Sequence, residues 1–281
     1  MNKYVNLFLM ISFILFTYLI FQKNMQDSTT MKYFPIDNKL TFDDATTTLS
    51  YDEKNNYINW NSYSSSSEPT YLRQDVVLIY ENGIFKGMLS EWKNNTATIE
   101  LEKSIPISTS SLLESITFHH GEIHQDDETI TSIQKMSNDS LYVVTEGEEV
   151  HTFHQPKTKE DKKNQQELTN HMNSAMKKHL HSMLDYHHLS IDQYEVLPLT
   201  KLVTYEDSPL FNFSNETTSR IIGQFWEGFY NEYITLLMSY ENNIPSHYMP
   251  YILIAKDKSH LLVLFEIDNE SFKLKQSLSV N

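Results

Sequence analysis

The chain has 281 residues, no cysteine, and 22 Lys and Arg against 37 Asp and Glu, a formal charge of -15. That balance excludes a nucleic-acid binder, because phosphates demand a basic footprint, and the missing thiols exclude disulfide stapling. Only six glycines occur, where ordinary usage gives about 20. There is no G-x-G-x-x-G, no G-x-x-x-x-G-K-[ST] and no G-x-S-x-G, so dinucleotide, P-loop and nucleophile-elbow chemistry lack the turns they need.

Val5 to Phe21 is an apolar run between Lys3 and Lys23. At ~1.5 Å per residue it is roughly 26 Å long as a helix, the lower end of a bilayer span. No small-x-small cleavage site follows, so residues 1-23 read as an uncleaved transmembrane anchor, with the membrane as a partner through residues 5-21. The lysine count does not favour the N-terminus inside, but the early position of the run resembles an export signal, which places the bulk outside the cell. Residues 24-70 are rich in Asn, Ser, Thr and Asp and close on Ser64-Ser65-Ser66-Ser67-Glu68-Pro69. They read as a stalk or loosely ordered lead-in, with Tyr57, Trp60, Tyr63 and Tyr71 able to dock part of it on a folded body.

From residue 71 to 156 the pattern predicts a β-rich domain. Asp75 to Tyr80, the turn Glu81-Asn82-Gly83 and Ile84 to Trp92 form a hairpin signature. Lys93-Asn94-Asn95 reads as a second turn before Thr98 to Glu102, whose alternation buries Ile99 and Leu101. Ile116 to Ile123, Thr129 to Met136 and Leu141 to Val144 follow, separated by Gln125-Asp126-Asp127 and Ser137-Asn138-Asp139. Together they suggest an antiparallel meander.

The remainder, 157-281, reads as an α+β domain. Leu168, Met172, Ala175, Met176, Leu180, Met183 and Leu184 share one face of a long amphipathic helix reaching Tyr186. Tyr194 to Tyr205 is strand-like, interrupted by Pro198. Ser214 caps a helix running to Tyr240 with Ile221, Ile222, Phe225, Trp226, Phe229, Tyr233, Leu236, Leu237 and Tyr240 on one broad face. A hairpin of Tyr251 to Ala255 with His260 to Ile267, and a last alternating strand through Phe272 and Leu274, close the chain. The fold class this predicts is α+β: an N-terminal single transmembrane helix, an antiparallel β-rich region, a long amphipathic helix, then a helix with an antiparallel β-meander.

Candidate sites are few. In His119-His120-Gly121-Glu122-Ile123-His124, a continuous strand would put His120, Glu122 and His124 on one face, a set able to ligate zinc. The opposite parity of Ile123 against Ile116 and Phe118 predicts instead a turn or bulge at Gly121 that scatters them. His179 falls on the apolar face of the long helix and reads as a core or interface residue. Asp43-Asp44 and Asp126-Asp127-Glu128 lack the Asp/Asn alternation and Gly of a calcium loop. No residue is therefore expected to be catalytic, to bind a cofactor or to hold a metal. The face from Ile221 to Leu237 is broader than one sheet requires, which suggests a protein-binding edge. The reading is a membrane-anchored, non-catalytic extracytoplasmic domain that contacts another envelope or membrane protein. An anchored metal-dependent hydrolase using His119 to His124, or a purely structural envelope protein, are the alternatives.

Overall fold

The computed structural model describes residues 31–37, 39–107, 109–124, 129–147, 149–240 and 243–278. Ten strands are defined: β1 (Phe42–Asp52), β2 (Tyr57–Glu81), β3 (Ile84–Pro106), β4 (Ser111–His124), β5 (Ile130–Glu146), β6 (Glu149–Phe153), β7 (Tyr194–Pro198), β8 (Tyr251–Ala255), β9 (His260–Ile267) and β10 (Glu270–Ser277). The helices are α1 (Lys159–Tyr186), α2 (Asn215–Phe229) and α3 (Thr235–Ser239), the last two joined by a π-turn at Tyr230–Ile234. Two further single-turn stretches, Ile191–Gln193 and Leu199–Tyr205, are 3₁₀.

The balance of the fold differs from the expected α+β class: it is mostly antiparallel β, with 51% of residues in strands and 26% helical. The Val5 to Phe21 segment lies outside the described residues. Among those described, no helix is long and apolar enough to cross a membrane, so the membrane character expected of the chain has no support in this structure.

The second correction concerns residues 24-70. From Phe42 onward they are not a stalk: β1 and the first half of β2 pair from Phe42↔Ser66 to Asp52↔Tyr57. Their Ser and Thr side chains resemble a linker in composition, yet alternate ones point into a polar interior where Ser62, Ser64 and Thr47 are buried. β2 and β3 run together through a bend between Ser65 and Thr70, so Lys93-Asn94-Asn95 is not a reversal. Asn95 takes a left-handed backbone, φ 48°, within a continuous strand. Likewise Ser137-Asn138-Asp139 pairs with Thr117, Ile116 and Ser115 inside an unbroken β5. The Asn82-Gly83 hairpin does form, both residues at positive φ (52° and 78°) as a tight turn requires.

The bend folds the first half of the six-stranded sheet over the second, so that β1 lies against β4 and β5 without pairing to them. Strand alternation then gives the second half two buried faces. Val77, Ile79, Leu113, Leu141 and Val143 meet Leu49, Ile58, Trp60 and Ile105 inside the folded sheet. Val76, Leu78, Ile116, Phe118 and Met136 face the helices. There Met172, Met176, Leu180 and Met183 of α1 and the aromatic face of α2 complete one core with the second sheet, ordered β10-β9-β8-β7. That core contains residues from both sides of the expected boundary near residue 156.

α2 explains its own breadth. Trp226 stacks on Phe118 with ring centroids 4.8 Å apart, while Tyr233 meets Phe265 of the second sheet edge-on at 5.0 Å. A helix between two sheets buries two sides, so most of the wide face is interior rather than a partner surface. Beyond α2 and the π-turn, Met238 of α3 is exposed. Tyr194 to Tyr205 is a strand only as far as Pro198; Leu199–Tyr205 winds into 3₁₀ turns.

Candidate functional site

β4 carries the histidine cluster in a single strand, Ser111–His124, with uninterrupted register to β2 and β5 across Gly121. The expected bulge is absent. Gly121 serves a close approach instead: a Cβ there would lie 3.1 Å from Arg73 Cδ and 3.1 Å from Ile133 Cγ1. Strict alternation therefore sends His119 and His120 to opposite faces.

His119 enters the folded sheet. Its Nδ1 lies 2.8 Å from Asp75 Oδ2, and its Nε2 lies 2.8 Å from Ser137 Oγ. Ser64 Oγ donates to the same Asp75 oxygen at 2.6 Å. Beyond Ser137 the chain of hydroxyls continues to Thr47 Oγ1 at 2.6 Å and from there to Thr117 Oγ1 at 2.5 Å. An ionised Asp75 only accepts, so Nδ1–H donates to it; in the neutral imidazole Nε2 then accepts from Ser137. This is the hydrogen-bond order of a serine nucleophile, its base and the carboxylate that orients the base.

Arg73 lies beside it, Nη2 3.8 Å from Asp75 Oδ1 and bonded to Ser64, with its Nη1 3.2 Å from Ser66 and the guanidinium 4.5 Å from the Phe42 ring centroid. Burial draws its pKa down and the Asp75 charge opposes that. Arg73 Nε, Asp75 Oδ1 and Ser62 Oγ are buried with no hydrogen-bond partner.

The centre of the relay is buried: Asp75 and His119 are each 0% exposed, while Ser137 is half-buried and its hydroxyl is bonded to Thr47 of β1. Acyl transfer needs an open approach and oxyanion donors about 3 Å from the reacting atom; here the Ser137 hydroxyl is bonded on one side to His119 and on the other to Thr47 of β1. What the arrangement does is hold a buried charge pair and bind β1 to β4 and β5.

His120 points the other way, between Phe118 and the helical layer. Burial, aided by the Arg73 cation and opposed by Asp75, pushes its pKa down to about 4. His124 reaches Glu122 at 3.4 Å and stacks on Tyr71 at 3.7 Å. Glu122 is raised by burial, against the hydrogen bond from His124. No group of three or more His, Cys, Asp or Glu able to hold a metal occurs among the described residues. His179 is half-buried against the Tyr248 ring at 4.6 Å, and its Nε2 has no partner.

Sequence reasoning missed Arg73, Asp75 and Ser137. The available signal was phase: Arg73 and Asp75 share parity with core residues Val77 and Ile79, so both charges had to point inward.

A second feature lies on the surface. β3 pairs with β2 alone, and beyond the single bridge of Ile84 to Tyr248 its outer edge has no partner strand among the described residues. Beside that edge a groove of about 480 Å³ is lined by Met88, Leu237, Met238 and Ile244, with Lys86 and Lys103. Met238 is 37% exposed. Comparison with known proteins finds no matching family model, no matching curated protein and no matching solved structure.

Proposed function

We propose that this chain is a non-catalytic binding domain that contacts another protein along the open side of β3. The observation that carries the reading is the one-sided pairing of this 23-residue strand next to a groove that holds four apolar side chains, Met88, Leu237, Met238 and Ile244. An unpaired edge offers a row of backbone donors and acceptors to an incoming strand, and the groove supplies a pocket for one of its side chains. Charged residues along the edge, among them Lys86, Glu91, Lys93 and Lys103, oppose indiscriminate strand pairing and leave a specific partner favoured. A Met238→Asp chain should keep its circular dichroism spectrum and lose the protein that the unaltered chain retains. Retention of that protein by the variant overturns the proposal.

The hydrogen-bond order of Asp75, His119 and Ser137 favours one other reading, a serine hydrolase whose nucleophile is exposed when β1 moves. A fluorophosphonate probe decides between them. Labelling of Ser137, lost in His119→Gln, supports the hydrolase; no labelling of the folded chain supports a structural relay.

A further inference from the structure

We infer that the occupant of the β3 groove is an extended acidic segment of the partner protein, with an apolar side chain seated among Met88, Leu237, Met238 and Ile244; this rests on the reading of β3 as the contact edge. The argument is one of sign. The chain carries -15 overall, yet the groove lining contains Lys86 and Lys103 and no carboxylate. The two lysines come from opposite halves of β3, which the bend brings together, so that Lys103 Nζ lies 4.0 Å from where a Gly87 Cβ would be. Lys86 has one anionic neighbour, Glu81 at 2.5 Å, on the preceding strand. Among the described residues Lys103 forms no ion pair within 4.0 Å, and it is part of the groove lining.

A local basic site on an acidic surface selects partners by charge: the global field repels another acidic body, while the lysines attract a carboxylate brought within a Debye length. A second copy of this chain is disfavoured by the same field. The apolar side chains of the lining add burial for one side chain, and the free edge adds backbone hydrogen bonds, so a segment alternating acidic and apolar residues satisfies all three demands at once.

The test uses the full chain and two blocked heptapeptides, one alternating aspartate with leucine and the other lysine with leucine. Binding is followed by amide chemical shifts and fluorescence anisotropy. The aspartate peptide should bind, moving the amides of residues 86–92, and Lys103→Glu should weaken it roughly fivefold or more while the circular dichroism spectrum is unchanged. Lys86→Gln should have a smaller effect because Glu81 already neutralises that charge. If the lysine peptide binds β3 as well or better, the acidic occupant is wrong and the contact edge stands. If neither peptide moves any β3 amide, both the occupant and the contact edge are wrong.

Discussion

Asn231 grips the backbone of Met31 from both sides: its Oδ1 accepts from Met31 N at 3.0 Å and its Nδ2 donates to Met31 O at 3.0 Å. The two residues are 200 positions apart, and Asn231 sits in the π-turn that joins α2 to α3. Such an insertion rotates side chains off the regular helical face; here it leaves Tyr230 and Tyr233 buried and the Asn231 amide on Met31. Asn231→Ala should cost about 1–2 kcal/mol, the sum of two ordinary hydrogen bonds, and should speed proteolysis near residue 31. Urea unfolding and limited trypsin digestion measure the two effects.

Two glycines of one helix should respond with opposite signs. At Gly223 a Cβ would lie 2.5 Å from Gln134 Oε1 and 2.5 Å from Tyr33 Cδ2, whereas at Gly228 nothing lies within 4 Å. Gly228→Ala should stabilise by up to about 1 kcal/mol through helix propensity. Gly223→Ala gains the same propensity and loses more to overpacking, a net cost on the order of 1–2 kcal/mol. Thermal melts of both variants give the comparison.

Asp75→Ala should be far more damaging than Ser137→Ala. The first leaves the Arg73 guanidinium buried without its anion, a loss of about 3–5 kcal/mol. The second removes one hydroxyl from the relay and leaves the Thr47–Thr117 bond in place, a loss of about 1 kcal/mol. Should Asp75→Ala fail to fold, Asp75→Asn provides the milder measurement by denaturant titration.

Acid should weaken the fold. His120 and His247 are both pushed down to about 4 by burial, His247 being also bonded to Tyr233 Oη at 2.8 Å and to the Pro245 carbonyl at 2.7 Å. Between that value and the ordinary ~6.5 the unfolded chain binds protons that the folded one refuses, so stability rises with pH across this window. Their contribution is complete above ~6.5 and falls as pH drops toward 4, by on the order of 3 kcal/mol per histidine. Glu122 and Glu206, raised by burial, act in the opposite sense near and above the ordinary carboxylate range and offset part of the loss. Urea midpoints at pH 7.0 and 5.0 should differ clearly, the lower value at pH 5.0; an unchanged or higher midpoint contradicts the burial of these imidazoles.

Much of the local structure was legible. Asn82-Gly83 demanded a tight hairpin, the Met172 to Leu184 face demanded a packed helix, and the final strands alternated cleanly. What misled was polarity inside the sheet. Ser64, Ser137 and Asp139 carry the chemistry of turns and linkers, but Ser64 and Ser137 bond the Asp75–His119 pair and Asp139 Oδ2 accepts from Leu49 N at 2.7 Å. Single-strand patterns report a side chain's affinity for water and are silent on whether a facing strand will supply its partners. The same blindness hid the site: His119 stood out only as part of the His119 to His124 run, while the residues that bind it lie on β2 and β5. The breadth of the α2 face was legible, but not that two sheets would cover most of it, because one helix does not disclose what packs on it.

Site-specific photo-crosslinking tests the contact edge most directly. Benzoylphenylalanine would be placed at Met238, beside the groove, and separately at Tyr186, which is 67% exposed at the far end of α1. In cells of the native source, a contact along β3 predicts one defined protein adduct from Met238, competed by the aspartate–leucine peptide and absent from Tyr186. Equal adducts from both positions, or none from Met238 while a fluorophosphonate labels Ser137, would contradict it.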